Sequence, residues 1–224
     1  MTTIGLIISA GKQTRFEKAQ PKALSEFDGR CLLDLNIEHL RGYCDKVYVV
    51  CSYENTNWFV GYDKIEIQSG KGCGDAVMQA IEKFEDARFI IQWGDSYIDP
   101  YTLLRMTENY NSERLNIPVT YEENPYVSIS ESMVKFGKYG EVDGPGYHDC
   151  SIFMADGRVL EVACGAFCFK HKNGDNYEHK HGNEFTFLDI VNEGTLANLI
   201  EVPAGLNFAF NTVEELNAIN TTGV

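Results

Sequence analysis

The chain has 224 residues, of which 44% are hydrophobic and 23% are charged, values that exclude a disordered or fibrous protein. Its formal net charge of −14 argues against a nucleic-acid partner, because an acidic surface repels a phosphate backbone. Its apolar runs are interrupted well short of the ~18 residues that a membrane span needs. Neither nucleic acid nor a membrane is therefore predicted as a partner.

The first half of the chain alternates apolar strands with amphipathic helices. Strands are predicted over residues 4–8, 46–51, 64–68 and 88–93, and helices over 32–40, 75–84 and 100–110. Short continuous apolar runs are typical of parallel strands that are buried on both faces. The pattern predicts an α/β fold with a Rossmann-like, mainly parallel central sheet flanked by helices.

The second half has a different pattern, which predicts a smaller β-rich lobe. Strands are predicted over residues 117–121 and 127–136, with one or two more within 159–169, and a helix over 185–191. No repeat or low-complexity linker separates the two halves. We therefore expect one domain over residues 1–224.

The seven cysteines are an odd number, and no pair has C-x-x-C spacing. The first residues carry no basic side chain of the kind that opens a signal peptide. These observations predict reduced, mostly buried cysteines, a cytoplasmic location and no structural zinc site. His171, His179 and His181 lie in a polar run with loose spacing, which favours a solvated loop, with a metal site as the alternative.

The loop after the first strand is the strongest sequence signal. It contains Ser9, Ala10, Gly11, Lys12, Gln13, Thr14 and Arg15, and Pro21-Lys22-Ala23-Leu24 follows. A glycine lets backbone N–H groups approach a phosphate chain, and Arg15 and Lys22 can neutralise its charge. The first 30 residues hold five basic and three acidic side chains, although the whole chain is acidic. The alternative is a surface turn with scattered basic residues.

Two further segments lie where a parallel sheet presents side chains to a ligand. Gly72-Cys73-Gly74-Asp75 precedes a predicted helix, and Trp93-Gly94-Asp95 ends a predicted strand. Asp95 has the alternative roles of a turn residue or an N-cap for the helix at 100, and Asn211 with Thr212 has the alternative role of a cap for a C-terminal helix.

Together these segments resemble the pyrophosphorylase-type nucleotidyltransferases, which carry an A-G-x-G-T-R and P-K-x-L signature. Gln13 stands where that family has its second glycine. The resemblance implies nucleotide-binding roles for the loop at 9–14 and for Gly72, Cys73, Gly74, Asp75, Trp93 and Gly94. It implies catalytic roles for Arg15, Lys22 and Asp95, with Mg²⁺ held by Asp95 and Asn211. Residues 1–115 then form the nucleotide-binding half and 116–224 the acceptor-binding half.

The acceptor side is less well defined. Segments at 139–142 and 156–160 resemble the family's acceptor-side strands, and the segment at 163–167 resembles its N-[AT]-G-[IF]-[YF] segment. The residues assigned to the acceptor are Lys138, Tyr139, Gly140, Gly165 and Lys170. The E-K-P stretch whose lysine binds a sugar phosphate is absent, because Val162 runs directly into Ala163. Either another lysine holds the acceptor phosphate, or the acceptor is not a hexose phosphate.

The reaction implied joins the nucleoside monophosphate part of an NTP, CTP or UTP foremost, to a small phosphorylated acceptor and releases pyrophosphate. Bringing such anions together requires charge neutralisation and positioning, which suits lysine, arginine and Mg²⁺. A sugar-1-phosphate acceptor, with products used for cell-surface polysaccharides, is the first expectation, and a CTP-dependent enzyme for a non-sugar phosphate is the second. A catalytically inactive nucleotide-binding module and a homodimer stay open, whereas an NAD enzyme lacks its fingerprint.

Overall fold

The computed structural model describes residues 1–11, 20–68, 70–123, 145–178, 184–193 and 196–222. Within these ranges the chain folds around one large central sheet with helices on both faces. None of the helices in these ranges is long and apolar enough to cross a membrane.

Six helices and fourteen strands are present in the described part of the chain. The helices are α1 (Leu32–Arg41), α2 (Cys73–Ile81), α3 (Pro100–Glu108), α4 (Gly157–His171), α5 (Phe187–Val191) and α6 (Val213–Thr222). The strands are β1 (Thr2–Ile8), β2 (Glu26–Phe27), β3 (Arg30–Cys31), β4 (Lys46–Ser52), β5 (Lys64–Ile67), β6 (Ala87–Trp93), β7 (Ser96–Tyr97), β8 (Leu115–Glu122), β9 (Gly146–Asp149), β10 (Ile152–Asp156), β11 (Lys172–Asn173), β12 (Asn176–Tyr177), β13 (Ala197–Glu201) and β14 (Phe208–Ala209). Short 3-10 helices occupy Lys22–Leu24 and Thr56–Phe59.

The central sheet has eight strands in the order β13-β8-β10-β6-β1-β4-β5, with β9 paired to β8. β1 pairs in parallel with both β4 and β6, and β4 pairs in parallel with β5. β10 is antiparallel to its two neighbours, and β13 pairs in parallel with β8. The strands of the first half therefore end at one common edge of the sheet, where their following loops meet.

The two faces of the sheet bury separate hydrophobic clusters. Along β1, Leu6 belongs to the cluster that includes α2, α4 and α5, whereas Ile7 belongs to the cluster that includes α1 and α3. Successive side chains of a strand point to opposite faces, so a strand covered on both sides must be apolar at every position. The uninterrupted apolar run in β1 follows from this arrangement.

The fold class predicted from the sequence is confirmed, and so are all seven elements of the first half. The helix boundaries differ by a few residues, because α2 begins at Cys73 and ends at Ile81, and α3 ends at Glu108. The predicted strand at 117–121 is β8, and the helix predicted over 185–191 is α5.

The prediction of one or two strands within residues 159–169 is wrong, because this segment lies inside helix α4. Its buried side chains are Leu160, Ala163, Cys164 and Phe167, which have the spacing of one helical face. Val162 and Phe169 are apolar but 67% and 95% exposed, and they hide that spacing from a reading of the sequence.

Three strands of the central sheet were not predicted. β9 and β10 lie in a stretch rich in Gly, Asp and Tyr, and β13 is a short strand at the sheet edge. The strand predicted over 127–136 lies outside the described residues. All seven cysteines are free, as predicted, and Cys51, Cys150 and Cys164 are buried while the other four are partly buried.

Candidate functional site

The loops after β1 and β6 are held together at the carboxyl edge of the sheet. Ile8 is in register with Trp93, and the Gly94 N–H donates to the Ile8 carbonyl at 3.0 Å. A Cβ on Gly94 would lie 2.3 Å from Ser9 Oγ and 3.0 Å from the Ile8 oxygen. Only glycine permits this close approach, which places Asp95 beside the start of the loop at 9–11.

A lysine and an aspartate from distant parts of the chain meet at this edge. Lys22 Nζ lies 3.1 Å from Asp95 Oδ2 and donates to the Phe210 carbonyl at 3.3 Å. The Lys22 side chain is 11% exposed and that of Asp95 is 32% exposed. The Asp95 carboxylate is therefore partly open to solvent, while the Lys22 side chain is largely buried beside it.

Asn211 is brought to Asp95 by a small two-stranded sheet. β14 pairs with β7, and the Phe210 N–H donates to the Asp95 carbonyl at 3.2 Å. Asn211 is the next residue and is exposed. The two residues predicted as metal ligands thus lie on adjoining backbone segments, and a carboxylate and an amide oxygen are ligands that Mg²⁺ accepts.

Helix capping does not account for Asp95. The N-cap of α3 is Asp99, whose carboxylate accepts from the Tyr101 N–H at 2.8 Å. At α6, the Thr212 hydroxyl accepts from the Glu215 N–H at 3.2 Å, and the Glu215 carboxylate accepts from the Asn211 N–H. The capping expected of Asn211 and Thr212 is therefore made by the Thr212 and Glu215 side chains.

The glycine-rich loop at 70–74 leads directly into α2. Gly72 precedes the helix with a φ of +91°, a left-handed conformation that favours glycine. Asp75, in the first turn, is buried, and its carboxylate accepts from Gln79 Nε2 at 2.6 Å. Gln79 also exchanges two hydrogen bonds with the Gln68 backbone, so α2 fixes both ends of the loop.

Cys73 connects this loop to the Asp95 region. Burial raises the pKa of the Cys73 thiol to about 11, and the charges of Asp189 and Asp95 add to that rise. The Phe187 backbone opposes that rise in part. The thiol is therefore protonated at neutral pH and cannot act as a thiolate nucleophile.

The structure describes two of the predicted acceptor residues, Gly165 and Lys170, and both lie on α4. Gly165 lies in the middle of α4 and lines a cavity of about 560 Å³ between α2 and α4. That cavity reaches Gly157 and Phe89, near the amino end of β6, whereas Asp95 follows its carboxyl end. Lys170 Nζ pairs with Glu193 at 2.8 Å.

Glu193 also binds His171, whose Nε2 lies 3.0 Å from its carboxylate. Although burial alone would raise it, the hydrogen bonds from Lys170 and His171 hold the pKa of Glu193 below its usual range. Lys170 thus has an anionic partner within the chain itself, and an acceptor phosphate would have to compete for it.

Other predicted residues fall outside the described parts of the chain, and their assignments stay predictions. They are Lys12, Gln13, Thr14, Arg15, Lys138, Tyr139, Gly140, His179 and His181. No group of three or more potential metal-binding His, Cys, Asp or Glu side chains occurs in the described ranges.

Sequence reasoning missed two contributions to the site. The Phe210 carbonyl, which Lys22 contacts, is a backbone group that no side-chain motif reveals. The segment at Phe185 packs against the loop at 71–74, which only the tertiary structure shows. One sequence signal was available, because Thr186-x-x-Asp189 has the spacing of a capping box and marks the start of α5.

Comparison with known proteins gives a consistent family. The model of the MobA-like NTP transferase domain matches residues 5–136. Among curated proteins, the bifunctional protein GlmU of Buchnera aphidicola is 24% identical over 98% of this chain, and that of Ruthia magnifica is 29% identical over 54% of it. The chain spans 47% and 28% of these two relatives, at most about half their length.

Solved structures of similar fold cover almost the whole chain. The inositol-1-phosphate CTP transferase from T. maritima superposes with a TM-score of 0.69 at 16% identity, covering 99% of this chain and 97% of that one. HddC from Yersinia pseudotuberculosis superposes with a TM-score of 0.69 at 17% identity, covering 99% of both chains.

Proposed function

Because the chain belongs to the MobA-like NTP transferase family, we propose that it is a nucleotidyltransferase that acts on an NTP and a small phosphorylated acceptor. In this reaction a phosphate oxygen of the acceptor attacks the α-phosphorus of the NTP. A new P–O bond forms, the bond from the α-phosphorus to the bridging oxygen breaks, and the electron pair leaves with pyrophosphate. No general base is needed, since a phosphate monoester with a second pKa near ~6 is already ionised at neutral pH.

The observation that carries this proposal is the position of Lys22. Its Nζ is held between Asp95 Oδ2 and the Phe210 carbonyl, at the edge where the loops after β1 and β6 meet. A buried ammonium group fixed by two acceptors does not have to reorganise during a reaction that concentrates negative charge. We assign it to the α-phosphate, and assign Arg15 and Lys12 to the departing pyrophosphate.

The residues present fit a magnesium ion. Asp95 offers a partly exposed carboxylate and Asn211 an amide oxygen on an adjoining backbone segment, a hard donor set that leaves positions for phosphate oxygens. When bound, Mg²⁺ would neutralise charge that develops on the transferred phosphate. Asp95 and Asn211 would hold that ion, while Lys22 stabilises the Asp95 carboxylate and orients it.

A sugar-1-phosphate is the first acceptor class we propose, with CTP or UTP as the nucleotide. Structural neighbours whose names refer to an inositol phosphate and CTP, and an HddC structure with GMP-PN, support a nucleotide and a phosphorylated polyol. One observation favours a second class, a non-sugar phosphate used with CTP. Lys170, one of the lysines predicted to hold the acceptor phosphate, is paired with Glu193 of the chain itself.

The experiment that tests the function is pyrophosphate release with Mg²⁺. Each of CTP, UTP, GTP, ATP and dTTP is combined with pools of sugar-1-phosphates and of phosphorylated alcohols, amines and amino acids. Asp95→Asn, which keeps the side-chain shape but removes its charge, is the matched control.

Release with one nucleotide and one acceptor pool, lost in Asp95→Asn, is the expected result and selects between the two acceptor classes. If no combination releases pyrophosphate while a nucleotide still raises the melting temperature, the transferase assignment is wrong and a nucleotide-binding module remains.

A further inference from the structure

The loop at 71–74 is hydrogen-bonded to a segment from the second half of the chain. The Phe185 N–H donates to the Lys71 carbonyl at 3.0 Å, and the Gly74 N–H donates to the Phe185 carbonyl at 3.2 Å. The two bonds lie on either side of Gly72 and Cys73. Phe185 therefore fixes the loop backbone in the way that a neighbouring strand would.

The two glycines of this loop are required by the same contact. A Cβ on Gly72 would lie 2.3 Å from the Phe185 carbonyl oxygen, and one on Gly74 would lie 2.5 Å from Phe185 Cδ2 and 2.7 Å from the Thr186 oxygen. Side-chain carbons do not approach other atoms this closely. The glycine spacing that predicts nucleotide binding thus also serves the packing of Phe185 against the loop.

The Phe185 side chain is itself firmly held. It is 1% exposed, and its ring centroid lies 4.6 Å from that of Phe167 and 4.5 Å from that of Tyr177. Lys71 covers this cluster from the loop side, with Nζ 5.5 Å from the Tyr177 centroid and 2.7 Å from the Asp175 carbonyl oxygen. The loop and the β11–β12 hairpin are therefore joined through one aromatic cluster.

The residues after Phe185 are fixed by a capping box. The Thr186 hydroxyl accepts from the Asp189 N–H at 3.2 Å, and the Asp189 carboxylate accepts from the Thr186 N–H at 2.8 Å. Asp189 is 7% exposed, and the Phe187 side chain is fully buried. The conformation of the segment at 185–189 is therefore stabilised by its own capping box as well as by its contacts with the loop at 71–74.

We propose that Phe185 is a positioning residue that holds the loop at 71–74 in its nucleotide-binding conformation. This inference rests on the proposed function for the ligand, and on the described contacts for the geometry. Without the Phe185 ring the loop loses its packing, so only a fraction of molecules presents the bound conformation. If that fraction falls to about one tenth, the apparent Kd for the nucleotide rises about tenfold.

The test compares Phe185→Leu with Phe59→Leu. Phe59 is also fully buried, but it belongs to the cluster on the opposite face of the sheet. Hydrogen exchange of the amides at 71–76 is measured in both variants without nucleotide, well below their melting temperatures. Calorimetry with CTP and with UTP in the presence of Mg²⁺ then gives the nucleotide affinity.

We expect faster exchange at 71–76 and about tenfold weaker nucleotide binding in Phe185→Leu only. In turnover, KM for the nucleotide should rise while kcat at saturation stays close to that of the wild type. Equal exchange and equal affinity in the two variants would overturn the positioning role. If the wild type releases no pyrophosphate, the function fails, yet the exchange data still decide whether Phe185 holds the loop.

Discussion

At the scale of single residues, the candidate site depends on the positions of the Lys22 ammonium group and of Gly94. The total number of charges in the chain matters less. Lys22 Nζ contacts Asp95 and the Phe210 carbonyl, so its charge is held at one point although the chain carries a net charge of −14. Gly94 permits this arrangement, since any side chain would meet Ser9. One cation and one glycine therefore define the centre of the candidate site.

Replacing Lys22 by alanine should reduce the rate by about 100-fold or more, because a fixed cation opposite developing negative charge contributes on that scale. The fold should persist, since Asp95 is partly exposed and can be solvated by water. Steady-state pyrophosphate release and circular dichroism measure the two effects. Lys46→Ala, at an exposed position at the opposite edge of the sheet, is the control. Turnover close to that of the wild type in Lys22→Ala would contradict the assigned role.

Replacing Gly94 by alanine should lower the free energy of unfolding by about 1–3 kcal/mol, the usual cost of forcing an extra carbon into a packed region. Turnover should fall as well. The new Cβ would be too close to Ser9 Oγ and the Ile8 oxygen, so the backbone at residue 94 must shift and would displace the neighbouring Asp95. Urea unfolding together with a turnover assay tests both. Unchanged stability would mean that the two strand ends are not packed as described.

At the scale of elements, short and irregular pieces bring the site together while long helices support it. The two-residue strands β7 and β14 join Asp95 to the segment that ends at Asn211, and the capping interactions of Thr212 and Glu215 begin α6 immediately afterwards. α4, the longest helix of the described chain, instead packs across the face of the sheet with α2 and α5. Its role in the fold is to cover the core.

The helical state of α4 can be checked with Gly165→Ala. Gly165 is exposed in the middle of the helix, and a Cβ built on it meets no atom within 4 Å. Alanine should therefore raise the free energy of unfolding by about 0.5–1 kcal/mol, the difference in helix propensity between the two residues. Gly165→Ala is also a control for Gly94→Ala, because the two substitutions are expected to change the free energy of unfolding in opposite directions. Urea unfolding measures both. Destabilisation would indicate an extended backbone at 165.

At the scale of the whole molecule, burial suppresses the ionisation of several thiols. Burial raises the pKa of Cys164 to about 12, with Cys168 and Glu82 adding to the rise, and burial also raises the pKa of Cys150. Burial likewise raises the pKa of Cys73. An unfolded chain ionises these thiols near about pH 8.5, so the folded state binds more protons above that value.

The free energy of unfolding should consequently fall as the pH rises from about 8.5 to about 10.5, by at most about 1.4 kcal/mol per pH unit for each such thiol. The contribution is fully present below the pKa of the unfolded thiol and is lost as pH approaches the raised pKa of the folded one. Urea unfolding at several pH values measures the slope. Cys164→Ala should make the slope of the free energy of unfolding against pH less steep. An unchanged slope would show that Cys164 ionises equally in the folded and unfolded states.

The sequence by itself determined the alternating α/β architecture, because strands buried on both faces and amphipathic helices leave local apolar patterns. It also predicted the loop at 9–11, Lys22, Asp95 and Asn211 as candidate site residues, from basic and glycine residues suited to phosphate and from the family resemblance. It could not reveal α4, whose exposed apolar residues obscure the helical period.

Only the tertiary structure decided which of these residues meet. The hydrogen bond from Lys22 to the Phe210 carbonyl and the packing of Phe185 against Gly72 and Gly74 join positions far apart in the chain. Such contacts depend on strand order and on backbone groups that are the same in every residue. Local sequence patterns carry no record of them, because the free energy that stabilises them comes from burial in the assembled fold.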